Sequence, residues 1–165
     1  MQVVIHDLDE ALFRALVPLE EEAMVLTADN RYAPCRGCLK CWLKQDGYCV
    51  YTDKLQHIGG ILGRGDPLWI ISRNCFGGYS SAVKAVLDRA IGVSLPFFTY
   101  RGGQTHHLCR YPRRKLMQVY LYGETTPLEE SAARKMVRKN SWNLGYDQEE
   151  VFFAPAVEQF WERVH

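Results

Sequence analysis

Four of the six cysteines lie close together, as Cys35-x2-Cys38-x2-Cys41-x7-Cys49 in the segment YAPCRGCLKCWLKQDGYCVYTDK. Thiolates at such short intervals can converge on one side of a compact loop, as an iron-sulfur cluster of the 4Fe-4S type requires. Zinc also accepts four thiolates, but separated C-x2-C pairs suit it better than three ligands crowded into C-x2-C-x2-C. Thiol redox chemistry and plain packing stay open beside these. Cys75 and Cys109 stand alone and read as structural. His106 and His107 are adjacent, so in an extended segment they point to opposite sides and are a poor pair for one metal. A second stretch with chemical potential is SRNCFGGYSS, residues 72–81, where paired glycines permit a sharp turn before a hydroxyl-capped helix.

Several elements must position these groups. Residues 2–5 and 23–28 are short apolar runs that read as buried strands, and the cysteine segment leaves the second of them. Asp9 can cap a helix to residue 17, which Pro18 ends, and Asp53 can cap one over 54–62. Residues 67–72 (PLWIIS) form a continuous apolar run, as a parallel strand covered on both faces should. In the helix over 80–92, Val83, Val86, Leu87, Ala90 and Ile91 share one face. Residues 93–115 read as a long irregular loop bearing aromatics and histidines, a length that points to function or an interface. Residues 116–122 and 151–153 read as further strands, 127–144 as a helix entered at Pro127, and 155–164 as a last helix.

This alternation predicts a single α/β domain over 1–165, with a five-stranded parallel sheet in the order 2-1-3-4-5 and helices on both faces. Ligands of such sheets sit at the C-terminal strand ends, where the loops after the second, third and fourth strands converge. The 165 residues suit one core, and 47% apolar with 24% charged residues is an ordinary globular balance. A net charge of +1 gives no reason to expect a nucleic-acid or membrane-surface partner. The short basic run at 110–115 reads as a solvated loop. No stretch reaches the roughly 18 apolar residues of a membrane span, and the opening residues lack a basic signal-peptide start. A reducing, cytoplasmic setting is therefore expected, where clustered cysteines favour metal or redox roles over disulfides.

The cysteine segment ending in GYCVYTDK, then a strand, then NCFGGYSSAVKAVLDRAIG, resembles the flavodoxin-like NAD(P)H-dependent FMN reductases and iron-sulfur flavoproteins. The matching positions after the third strand are Ser72, Gly77, Gly78, Ser80, Lys84, Asp88 and Arg89. The resemblance covers roughly residues 30–92, the rest following by element order. It implies that Ser72, Arg73, Asn74, Cys75, Phe76, Gly77 and Gly78 wrap an FMN ring, flanked by Tyr122, Gly123 and Glu124. It also implies a cluster on Cys35, Cys38, Cys41 and Cys49, electron supply from NAD(P)H, and a homodimer. Members of this fold hold the FMN phosphate in a Gly/Ser/Thr/Arg loop after the first strand. Here Ile5-His6-Asp7-Leu8-Asp9-Glu10 stands instead, with three carboxylates that His6 could offset only if protonated. The alternative is a protein of the same fold without flavin, using the four-cysteine loop as an iron-sulfur, zinc or thiol module.

Overall fold

The computed structural model describes residues 1–161. Its elements are β1 (Val3–His6), α1 (Glu10–Leu16), β2 (Met24–Thr27), a single turn α2 (Lys40–Leu43), α3 (Ile58–Arg64), β3 (Leu68–Arg73) and α4 (Ser81–Arg89). They continue with β4 (Ser94–Arg101), β5 (Gln104–Cys109), β6 (Arg114–Tyr122), α5 (Pro127–Leu144) and β7 (Tyr146–Ala154).

The main sheet runs β2-β1-β3-β6-β7 with every pair parallel, which is the expected order with a hairpin inserted before the fourth sheet strand. His6 pairs with both Thr27 and Ile71, Arg73 with Tyr122, and Tyr122 with Ala154, so the strands finish along one rim. The central strands are sealed on both faces. Val3, Val4 and Ile5 of β1 and Leu68, Ile70 and Ile71 of β3 are fully excluded from solvent. Each such aliphatic side chain contributes about 1.5–3 kcal/mol by burial. One face is closed by α3, α4 and α5 through Leu62, Val83, Val86, Ala133 and Val137. The other is closed by α1 and a short 3-10 turn, Val157–Phe160, through Leu8, Phe13, Val17 and Val157. Among the described residues no helix is long and apolar enough to cross a membrane.

Several boundaries differ from the sequence reading. The irregular loop expected over 93–115 is mostly an antiparallel hairpin of β4 and β5, turned by Gly102 and Gly103 at φ 55° and 77°. Two central residues at positive φ define the turn that matches strand twist. The last sheet strand spans nine residues rather than three. It lies at an edge, where Asp147, Gln148 and Glu150 are exposed while Tyr146 at its start is buried. The second strand is trimmed to Met24–Thr27. Asp53 starts only a turn, accepting the Leu55 N–H at 3.0 Å, and the helix itself begins at Ile58. The expected last helix over 155–164 is only the 3-10 turn as far as 161, and its remainder lies outside the described residues.

Candidate functional site at the strand ends

Asp7 follows β1 directly and lies between the ends of β3 and β6. Its carboxylate accepts the Arg73 N–H at 3.1 and 3.2 Å and the Tyr122 hydroxyl at 3.0 Å. Burial, reinforced by this carboxylate, pushes the Tyr122 phenol well above its ordinary range, so it stays a donor. Ser72 is fully buried beneath the rim. Its hydroxyl accepts the Ser80 N–H at 2.9 Å and lies 3.4 Å from Asp7 and 3.1 Å from the Arg73 carbonyl. Ser72 therefore supports the loop from below, whereas the resemblance had placed it against a ligand.

Asn74 joins the two loops. Its backbone N–H donates to the Tyr122 carbonyl at 2.7 Å, and its Nδ2 donates to the Glu124 carbonyl at 2.9 Å. Its Oδ1 accepts the Gly77 N–H at 3.0 Å. Beyond it, Cys75 and Gly78 exchange backbone hydrogen bonds at 3.0 and 2.9 Å around Phe76 and Gly77, whose φ values are 54° and 79°. The conformation suits glycine but is uncommon for phenylalanine, a strain of the order of 1 kcal/mol that clusters at functional loops. Phe76 is 89% exposed, an aromatic held out over the rim. A Cβ on Gly77 would lie 2.6 Å from the Glu129 carbonyl oxygen, so only glycine lets the turn rest on the start of α5. Gly123 is fixed by its N–H to the Ala154 carbonyl at 2.9 Å. The residues expected after β3 and β6 are thus brought together on one rim.

The cysteine segment is held separately. Arg89, 3% exposed, forks onto both oxygens of Asp53 at 2.8 and 2.9 Å and also donates to the Ala33 carbonyl. The guanidinium draws the Asp53 carboxyl down to about 2. The segment is pinned further by the Trp42 indole N–H on the Ile91 carbonyl at 2.9 Å. Gly47 and Gly92 approach so closely that a Cβ on Gly92 would lie 2.1 Å from the Gly47 oxygen. Within this frame the thiols sit at different depths: Cys35 and Cys38 exposed, Cys49 half-buried, Cys41 buried. Burial, then the neighbouring thiols, push the Cys41 thiol up. All six cysteines are free. Among the described residues no three His, Cys, Asp or Glu side chains are gathered so as to hold a metal ion. The Lys84-x3-Asp88-Arg89 motif divides: Lys84 and Asp88 pair on the surface, while Arg89 holds the cysteine segment. Sequence reading named Arg89 but missed its partner, because a contact spanning 36 residues leaves no local signal.

A cleft of about 950 Å³ lies between α4, α5, the hairpin and the cysteine segment, touching the rim only at Gly78 and Tyr79. His107 stands in it between Trp42 and Phe98, with ring centres 4.6 and 4.7 Å away. His106 bonds Asn143 at 3.1 Å instead, so the two histidines serve different contacts.

An FMN would ask two things of this rim. The ring half fits: backbone groups of two bridged loops and an exposed aromatic border one face. The phosphate half does not fit. Asp9 Oδ1 already accepts the Ala11 and Leu12 N–H groups at 2.9 and 3.4 Å, the donors at the start of α1. Leu8, midway along the connection, is 5% exposed and belongs to the core. His6 is buried, stacked 3.8 Å from Phe13 and bonded to Thr27 at 3.2 Å. Burial lowers its pKa, so it brings no positive charge.

No protein-family profile matches the sequence, and no curated protein matches it. Solved structures do. An azoreductase from Bacillus anthracis str. Sterne superposes with a TM-score of 0.56 at 13% identity, over 97% of this chain and 89% of its own. An NADH:FMN oxidoreductase (EMOB) in its apo form gives 0.53 at 13%, over 98% and 80%. An FMN-dependent NADH-azoreductase from Bacillus anthracis str. Ames Ancestor, in complex with FMN, gives 0.51 at 13%, over 92% and 85%. At such identities the likeness establishes a shared flavodoxin-like fold.

Proposed function

We propose that this chain is a flavin-dependent NAD(P)H oxidoreductase whose flavin ring lies against the joined loops of β3 and β6. The observation that carries the reading is the Asn74 bridge, which makes one preorganised surface of 73–79 and 122–124. The superposable structures named for FMN-dependent reduction of azo compounds and of FMN by NADH support it. When bound, the flavin supplies hydride acceptance from the nicotinamide and onward electron transfer.

The chain's own part is placement. Asn74 and the Gly77 turn fix the backbone groups that face the ring, and Tyr122 and Ser72 buttress them through Asp7. Phe76 offers an apolar lid on the open side. A homodimer completes the proposal. Phe98 and Tyr100, on one side of β4, are 68% and 77% exposed, an apolar face beside the cleft that a second copy would cover. The free cysteines fit a reducing, cytoplasmic setting. The test is a flavin titration of the purified chain followed by anaerobic addition of NADH or NADPH. Saturable uptake and bleaching of the flavin's visible band are expected, with uptake weakened at least severalfold in Asn74→Ala. A chain that takes up no flavin overturns the proposal.

A further inference from the structure

The carboxylates at the β1 end occupy the place where a phosphate would need donors, and they present acceptors there instead. Asp9 spends Oδ1 on the start of α1, while its Oδ2 takes no hydrogen bond from the described residues. Asp7 joins Arg73 and Tyr122 through its carboxylate. Glu10 adds a third charge, paired at 2.8 Å with the exposed Arg14. Arg73 is a positive group at this end, and Lys54 is tied to Asp29. A cluster of carboxylate acceptors suits hydroxyl donors and repels a phosphate dianion.

The geometry points to a flavin without a phosphate, a riboflavin-type ligand whose polyol side chain donates a hydrogen bond to Asp9, as the preferred occupant of this site. This inference rests on the flavin reading of the β3–β6 rim and deepens it. The side chain of such a ligand carries several hydroxyl groups and no charge. It meets the free Asp9 oxygen as a donor and loses nothing to the missing phosphate cradle. FMN carries the same hydroxyls, but must also bring its phosphate against carboxylates in a connection of three residues whose middle one, Leu8, is core.

The experiment titrates the purified full chain with riboflavin and with FMN, following quenching of flavin fluorescence. Riboflavin is expected to bind at least tenfold more tightly than FMN, with the difference shrinking as salt screens the carboxylates. In Asp9→Ser/Glu10→Gln the serine still caps α1. There FMN binding should tighten severalfold, and the riboflavin preference should narrow. Equal or tighter binding of FMN by the unaltered chain overturns the inference while leaving the flavin reading intact. A preference that persists unchanged in the double variant and in high salt also overturns it. Failure of both flavins to bind removes the flavin reading itself, and the inference with it.

Discussion

The cysteine segment and the β3–β6 rim are held by opposite strategies. The segment hangs from a few strong anchors: the Arg89–Asp53 fork, the Trp42 indole and the Gly47–Gly92 contact. Between them its thiols range from exposed to buried. Among the described residues the rim has no ion pair of its own. It is instead meshed by neutral and charge-assisted hydrogen bonds through Asp7, Ser72 and Asn74, with three residues, Phe76, Gly77 and Gly123, at positive φ. Density of cysteines thus marks a tethered strap, while the preorganised surface sits in the glycine-paired stretch at 72–81 and the loop after β6. Preorganisation is what positions a ligand, since a rigid surface needs no ordering when the ligand arrives.

Breaking the strap should give the largest effect on stability. Asp53→Ala leaves Arg89 buried without its counter-charge, and removing one partner of such a pair costs about 3–5 kcal/mol. Urea denaturation should show that loss. The same pair predicts acid sensitivity. Asp53 titrates at about 2 when folded against an ordinary 3.8, so its stabilisation is complete above pH 4 and is lost as pH falls toward 2. About 2 kcal/mol should go in that window, and Asp53→Ala should abolish this component. His6 acts at milder pH. Burial holds it below 6.5, so stability should begin to fall as pH drops beneath that value, and His6→Gln should remove the slope.

At the rim the effect is on binding before stability. Gly77→Val meets both a positive φ and the Glu129 backbone, costing about 1–3 kcal/mol and displacing the turn. Flavin affinity should fall at least tenfold while circular dichroism stays native. Smallest of all should be Cys38→Ser, at an exposed thiol. Its unfolding midpoint is expected to move by less than the equivalent of about 0.5 kcal/mol.

Much of the fold could be read from residue patterns, because β1 and β3 are continuous apolar runs and α4 and α5 carry clear caps. In α5 the box is complete: Thr126 Oγ1 accepts the Glu129 N–H at 3.3 Å, and the Glu129 carboxylate accepts the Thr126 N–H at 2.8 Å. The hairpin is hard to read although Gly102-Gly103 lies between its strands, because β4 does not alternate cleanly: Phe97 and Phe98 are adjacent, and its register shifts between Ser94 and Phe98. The rim loops were placed correctly by topology. Their connections were not visible, since Asn74 to Glu124 spans 50 residues and depends on which strands become neighbours. The carboxylates at β1 were visible as an oddity. Only the fold shows that Asp7 buttresses β3 and β6 while Asp9 caps α1.

The most direct measurement compares riboflavin fluorescence quenching by the unaltered chain, by folded Gly77→Val and by Cys35→Ser/Cys38→Ser. Saturable quenching should keep its affinity in the cysteine variant and weaken at least tenfold in the glycine one. Quenching of unchanged affinity in Gly77→Val, or quenching that is lost with the two thiols, would contradict a flavin site on the β3–β6 rim.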